Sequence, residues 1–450
     1  MSRPSRKAAD GVLVVGAGPV GTLLAILLAR DGHQVRVLER RADPRSRSGE
    51  RGRSINLALA ARGLLALERA GVLARVRPDM VEMRGRRLHD HAGNGPLLPY
   101  GQHAGEVIHA ISRTRLNTAL IEAAAELPSI ELRFGQRGIN VDPRLGVVQW
   151  RCEQDATLHD AAARLVIGAD GAGSALRNAM HERGLLQARE AALAHDYKEL
   201  QIPATSTGNW ALEAHALHVW PRGGFMLIAL PNPDRSFTAT LFLPARGTSG
   251  FDLLASAAQA RAFFAAQFPD ALALIPDFDT QFMQHPQGQL ATLYCWPWHV
   301  QRALLIGDAA HAIVPFHGQG LNCGFEDCGL LADLLARNED PEIACAEFER
   351  SRRPNTDAIA AMAIENYQEM RATVLAPDFA VRKQLSLELE QRFPRRFIPR
   401  YSMVMFHAEI PYAEALRRGK LQESVVDALL AAGTGANSAL AAQLLDEASL

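Results

Sequence analysis

Three features of the sequence predict an α/β chain: a Rossmann-like dinucleotide-binding domain, an inserted antiparallel β-sheet domain and a C-terminal helical region. The first is a strand, a glycine turn and a helix from Val12 to Ala29, followed by a second strand that ends on Glu39. The second is a change near Asp196 to alternating strand patterns punctuated by turns. The third is a return of strand, glycine-rich loop and helix at 302–327, after which the pattern stays mostly helical to Leu450.

The first element carries the strongest signal. Four apolar residues, Val12 to Val15, run into Gly16-Ala17-Gly18-Pro19-Val20-Gly21, and an apolar helical run follows. Gly16 permits the sharp turn, Gly18 lets backbone approach a pyrophosphate, and Gly21 lets helix and strand pack closely. The helix N-terminus then offers free N–H groups and a favourable dipole to the anion. Glu39, about 20 residues beyond the glycines, stands where an acid accepts the hydroxyls of an adenosine ribose. A signal peptide or membrane helix over Val12 to Ala29 is disfavoured by the three glycines and the proline, by the lack of a cleavage site and by the strand that follows. The motif alone leaves FAD and NAD as alternatives.

A length of 450 residues exceeds what one hydrophobic core usually covers, so two closely connected domains are expected. Lys plus Arg (48) nearly balances Asp plus Glu (49), which leaves no electrostatic footprint for nucleic acid or an anionic membrane and favours small-molecule partners. Five cysteines without CxxC spacing suggest neither a disulfide framework nor a zinc site, and a reducing cytoplasm fits best. The basic, polar segment Met1 to Gly11 is expected to be a disordered tail.

Taken in order, Arg40 to Arg53 is an arginine-rich loop that leads into a short strand ending at Leu59 and a helix from about Ala60. Met83 to Asp90 and Leu97 to Gly101 form a hairpin expected to set Arg86 opposite Tyr100. A helix opens at Ser112-Arg113, and β-rich sequence runs on to Leu165-Val166-Ile167-Gly168-Ala169-Asp170-Gly171, a buried strand ending in a glycine-flanked acid. Strands follow at Ala216 to Trp220, Gly224 to Leu230 and Ser236 to Leu243. The stretch to Asp279 is read as antiparallel sheet with few signs of cofactor contact. The chain returns at Leu304-Leu305-Ile306-Gly307-Asp308 and continues through Pro315 to Asp327, with later helix breaks near Pro354, Pro377, Pro394 and Pro399. The domains are set at 1–75, 106–180 and 286–330 for the dinucleotide, 76–105 and 181–285 for the substrate, and 331–450 for the helical region.

The glycine motif with Glu39, the Gly168-Ala169-Asp170-Gly171 segment and Gly307-Asp308 leading to Pro315 together resemble the FAD-dependent aromatic hydroxylases of the para-hydroxybenzoate hydroxylase-like type. The resemblance implies FAD as cofactor, with the ADP on the first motif, the ribityl and pyrophosphate near Asp308, and the isoalloxazine beside the following loop. Asp170 is associated there with FAD and NAD(P)H binding. The cofactor contacts so implied are Gly16, Gly18, Val20, Gly21, Glu39, Arg40, Ala58, Arg113, Asp170, Asp308, Gly320, Leu321 and Asn322. The segments Gly52 to Leu59, Met83 to His89, Leu217 to Arg222, Phe225 to Asn232 and Gly318 to Asp327 are more specifically similar to the kynurenine 3-monooxygenase branch, and the similarity extends from about Val12 to Tyr412.

That branch implies hydroxylation of L-kynurenine with NADPH and O2 through a hydroperoxide at flavin C4a, the oxygen going to the carbon ortho to the aniline. Arg86 and Tyr100 correspond to the grip on the substrate carboxylate, for which a guanidinium fork and a phenol are suited donors. Asn366, Glu369, Met370 and Tyr401 line the same pocket, with Glu369 able to accept from the substrate ammonium; Pro315 and His317 are the loop contacts. Helical spacing independently places Met362, Asn366, Glu369 and Met370 on one stripe of the helix Asp357 to Arg371, where a buried Asn or Glu needs partners. No residue is needed as nucleophile or metal ligand, and neither His311 nor His317 is assigned as catalytic. Two departures are evident: His317 stands where many relatives have an aromatic residue, and Ser424 to Leu445 is too polar to be the membrane anchor of eukaryotic members, so the chain is expected to be soluble. A flavin hydroxylase of another aromatic acid and a non-catalytic flavin redox sensor remain the alternatives.

Overall fold

The computed structural model describes residues 11–46, 56–93, 95–103, 105–372, 376 and 378–449. Most of the expected tail, the 47–55 part of the arginine-rich loop, and Pro377 lie outside these residues. The chain divides into two compact units, one of residues 1–80, 111–192 and 291–354, the other of 81–110, 193–290 and 355–450.

The first unit is organised on a six-stranded sheet in the order His299–Val300, Ala303–Leu305, Leu165–Gly168, Val12–Val15, Val35–Glu39, Ile130–Phe134. Val12 pairs in parallel with Val35 on one side and Leu165 on the other, and only the short His299–Val300 strand runs antiparallel. Central parallel strands are covered on their two faces, which is why Val12–Val15 is apolar at every position and buried throughout. The helix Pro19–Arg30 begins with Pro in its first turn and has no side-chain cap at Gly18, so its first N–H groups are left for another acceptor. A three-stranded antiparallel sheet of Leu158–Ala162, Val147–Cys152 and Gln136–Asp142 adds to this unit.

The principal sheet of the second unit runs 193–202 of the strand Gln187–Ile202, then Phe237–Pro244, Met226–Pro231, Ala216–Pro221, Gly85–Leu88 and Leu97–Pro99. From Gln187–Ile202 to Leu97–Pro99 it is antiparallel as expected except where Gly85–Leu88 lies parallel to Ala216–Pro221. The reading of 196–279 as strands throughout is corrected: Ala257–Gln267, Pro269–Ala273 and Phe278–Gln284 are helices. Ser256 and Gln259 form a reciprocal capping box at the start of the first. Phe264, Phe268, Phe278 and Phe282 pack with Trp220 and Phe237 of the sheet in one buried core. Periodicity tuned to strands passes over helices this short.

The helix break expected near Pro354 does not occur, because one helix runs from Pro341 to Arg371. Pro354 is exposed, and so is Arg350, whose carbonyl would otherwise accept from the N–H that proline lacks. The helices Phe379–Arg392, Tyr412–Ala431 and Ala439–Glu447 close a further core around Leu389, Phe397 and Leu429. No described helix is long and apolar enough to cross a membrane.

Candidate active site

In the first unit the glycine turn is built as its spacing requires. Gly16 has φ +106°, a backbone that favours glycine, and a Cβ at Gly21 would lie 2.0 Å from the Gly16 oxygen. A Cβ at Gly18 would meet no other protein atom within 4 Å, so the space beside it is open. The turn opens on a cleft of about 300 Å3 lined by Gly16, Gly18, Glu39, Arg40, Arg113 and Asp170 among others. Unbonded N–H groups at a helix start, an open Gly18 and a carboxylate at the end of the next strand fit the pyrophosphate and ribose of FAD.

Glu39 is buried. Its Oε2 accepts from Ala17 N at 2.8 Å, and its Oε1 accepts from N and Nε of Arg41, each at 2.9 Å. Burial would raise its pKa, but the bonds from Arg41 and Ala17 outweigh that and hold it below the usual carboxylate range. Asp170 divides its oxygens: Oδ2 accepts from Ala175 N at 2.7 Å, tying down a helix start, while Oδ1 is buried with no hydrogen-bond partner. Burial pushes the Asp170 carboxyl up. An unsatisfied buried acceptor on the cleft wall suits a cofactor hydroxyl.

Asn322 is fully engaged. Its Nδ2 donates to the carbonyls of Ala58 and Gly318 at 2.8 Å each, and its Oδ1 accepts from Ala60 N at 2.9 Å. It braces the strand end at Ala58 against the helix Gly320–Arg337, and any cofactor contact at 320–322 falls to first-turn backbone N–H groups. Val20 packs between Gly307 and Gly324, where a Cβ on Gly324 would come within 2.7 Å of it. Asp308 is exposed immediately after Gly307, while Leu321 packs against the core.

Three contributions in this unit escaped the sequence. Arg41 was hidden in an arginine run, and Gln136 and Arg137 of the cleft wall carry no motif. His311 donates to Asp327 Oδ2 at 2.6 Å, and Arg352 Nε donates to the other Asp327 oxygen at 2.6 Å, all three buried. Pro315 and His317 form a short turn, also in this unit, with His317 buried.

The second unit gathers Arg86, Tyr100, Asn366, Glu369, Met370 and Tyr401. Arg86 pairs across the hairpin with Leu98, and Tyr100 N bonds to Arg84 O, so the expected opposition is off by two residues. The two-residue period keeps Arg86 and Tyr100 on one face despite that shift, with the guanidinium carbon 5.9 Å from the Tyr100 ring centre and 4.8 Å from that of Tyr401. The two tyrosine rings stack at 5.6 Å and 12°.

Arg86 Nη1 lies 3.3 Å from Glu369 Oε1, and Nη2 donates to Asn366 Oδ1 at 3.3 Å. These bonds are long, Arg86 Nε is buried with no hydrogen-bond partner, and so is Tyr100 Oη. Burial pushes the Tyr100 phenol well up and that of Tyr401 up, so each keeps its proton as a donor. Asn366 Nδ2 is 3.4 Å from Met370 Sδ, and Met362, Asn366 and Met370 are buried along the expected stripe with Glu369 half-buried beside them. Lys383, absent from the sequence reading, donates to Pro99 O at 3.3 Å, and burial together with Arg86 pushes its ammonium down to about 8. No motif marked it.

The fold and the two sites define a flavoprotein of the hydroxylase type. Residues 10–342 match the sequence family described as an FAD binding domain. A curated kynurenine 3-monooxygenase of Stenotrophomonas maltophilia (strain K279a) is 50% identical over 432 residues, covering 96% of this chain and 94% of its own, and one of Myxococcus xanthus (strain DK1622) is 46% identical over 93% and 90%. Among solved structures, the tetrameric form of 2-methyl-3-hydroxypyridine-5-carboxylic acid oxygenase matches in fold with a TM-score of 0.67 at 20% identity, over 92% of this chain and 98% of that one. The chain belongs to the kynurenine 3-monooxygenase family of FAD-dependent hydroxylases.

Proposed function

We propose that the protein hydroxylates L-kynurenine to 3-hydroxy-L-kynurenine, consuming one NADPH, one proton and one O2 and releasing NADP+ and water. The observation that carries this is the pairing of unsatisfied buried donors on Arg86 and Tyr100 with the Glu369 carboxylate, an arrangement complementary to an α-amino acid head. Arg86 Nε and Tyr100 Oη would donate to the substrate carboxylate, Lys383 would add positive potential, and Glu369 would accept from the ammonium. Tyr401 and Met370 supply apolar wall. Pro315 and His317 enter the proposal on family correspondence alone.

FAD, when bound, supplies the redox chemistry that activates O2. The chain holds it through the Gly18 opening, the N–H groups at the start of Pro19–Arg30, and Glu39. Arg41 donates to both Glu39 oxygens, through Nη2 to Oε2 at 3.5 Å and through N and Nε to Oε1, so a ribose hydroxyl on Oε2 displaces the long Nη2 bond and a second needs Arg41 to release Oε1. The five free cysteines suit a reducing cytoplasm.

Purified protein reconstituted with FAD is expected to oxidise NADPH in a kynurenine-dependent way and to yield 3-hydroxykynurenine by mass. NADPH oxidation stimulated by a phenolic acid but not by kynurenine would select another aromatic hydroxylase. Flavin reduction with no hydroxylated product from any aromatic acid would select a redox sensor.

A further inference from the structure

Two of the family-specific segments, Met83 to His89 and Leu217 to Arg222, contribute more than Arg86. They meet on the reverse of the Arg86 strand. His89 and Arg87 point to the opposite face from Arg86, and His89 N continues the parallel ladder to Val219 O at 2.8 Å. On that reverse face His89 Nε2 lies 2.8 Å from His218 Nδ1, His218 Nε2 lies 2.9 Å from Glu213 O, and His89 Nδ1 lies 3.2 Å from Asp270 Oδ2. Trp220 Nε1 donates to the same Asp270 oxygen at 2.8 Å and stacks on His89 at 4.1 Å. The two imidazoles are buried.

Each end of this chain is an acceptor. The Glu213 carbonyl requires a proton on His218 Nε2, and a bare His89 Nδ1 would set its lone pair against a carboxylate in a buried site. With Nε2 of His218 committed to that carbonyl, His218 Nδ1 accepts from His89 Nε2, and His89 turns its Nδ1 toward the Asp270 carboxylate. Burial pushes the His218 ring down to about 4. The charged neighbours are the Arg87–Glu213 pair beside His218, and Arg222, which donates to the carbonyls of His89 at 3.0 Å and Asp90 at 3.2 Å.

The Arg86 side chain is held by two long hydrogen bonds and by the faces of Tyr100 and Tyr401, so its aim also depends on where its backbone lies. That backbone is a four-residue strand next to a three-residue edge strand. We propose that Asp270, His89 and His218 are positioning residues that fix the short strand from behind and so aim Arg86 at the substrate carboxylate. The proposal rests on the reading of Arg86 as the carboxylate grip.

The test compares Asp270→Ala with Asp270→Asn in FAD-loaded protein. Asn can place its amide oxygen at the position that His89 Nδ1 and Trp220 Nε1 share, keeping both contacts without the charge of the carboxylate. Asp270→Ala is expected to raise the kynurenine Kd and KM by about tenfold or more, with kcat at saturation within about threefold and FAD content unchanged, while Asp270→Asn restores Kd to within about threefold of wild type. His89→Phe, which keeps the stack on Trp220, is expected to behave like Asp270→Ala. A lowered melting temperature with Kd unmoved in Asp270→Ala would make the chain merely structural and overturn the proposal, as would Asp270→Asn binding as poorly as Asp270→Ala. Arg86→Met is measured alongside; normal kynurenine binding there would remove the carboxylate-grip reading itself, whatever the Asp270 variants do.

Discussion

At the residue scale the argument turns on Arg86. Its correspondence to a carboxylate grip was visible in the sequence, but its surroundings were not: a hairpin fixes which residues share a face, whereas the packing that buries a guanidinium with one donor unsatisfied depends on a helix some 280 residues away. Arg86→Met removes charge and fork, and a charged hydrogen bond of this kind is worth about 1.5 to 3 kcal/mol, so kynurenine affinity should fall roughly ten- to a hundred-fold. Arg86→Lys keeps the charge without the planar donors and should fall between. Equilibrium titration of FAD-loaded protein with kynurenine checks both, and a wild-type affinity in Arg86→Met would displace the pocket. Glu39 shows the opposite limit of legibility: its position was plain from the motif, yet the Arg41 bonds that occupy Oε1 could not be separated from the other arginines of that loop.

At the element scale, the strand, turn and helix at the N-terminus were legible to the level of individual glycines because each is dictated by local backbone geometry. The roles of two of those glycines can be told apart. Gly18→Ala should leave the melting temperature of the FAD-free protein unchanged, since its backbone is extended and its Cβ meets no protein atom, yet weaken FAD about tenfold or more by filling the pyrophosphate space. Gly21→Val should instead destabilise the fold, because helix and turn are in contact there. Calorimetry with flavin titration separates the two, and equal effects on stability would sink the distinction. The helices Ala257–Gln267, Pro269–Ala273 and Phe278–Gln284 were missed because short elements leave little periodicity, and one of them carries Asp270. The sheet they cover makes its own prediction. His218 is pushed down from 6.5 to about 4, chiefly by burial, so the fold favours the neutral ring. Its contribution is fully present above about pH 6.5 and is lost as pH falls toward 4, a gap of about 3 kcal/mol. Urea midpoints measured from pH 7 to 4 should fall less steeply in His218→Phe than in wild type; parallel slopes would contradict this.

At the scale of the whole molecule, every predicted FAD contact belongs to one compact unit, and Arg86, Tyr100, Asn366, Glu369, Met370 and Tyr401 to the other. Effects on the two ligands should separate accordingly. Glu39→Ala or Asp308→Ala should lower flavin occupancy, measured by absorbance of the purified protein, whereas Arg86→Met should retain its FAD; loss of flavin in Arg86→Met would break this partition. The broad architecture was legible because apolar strands and glycine turns announce themselves locally, while the assignment of segments to units depends on long-range packing that no local pattern encodes. Each unit is assembled from three separated stretches, with a consequence for the order of synthesis. Every residue of the unit that holds the predicted FAD contacts has been translated once residue 354 is made, but the other unit still awaits 355–450, which bring Asn366, Glu369 and Tyr401. On the ribosome the nascent chain therefore has every predicted FAD contact before it has Asn366, Glu369 and Tyr401, and a message cut short between residues 355 and 400 yields a chain with the first set and without Tyr401.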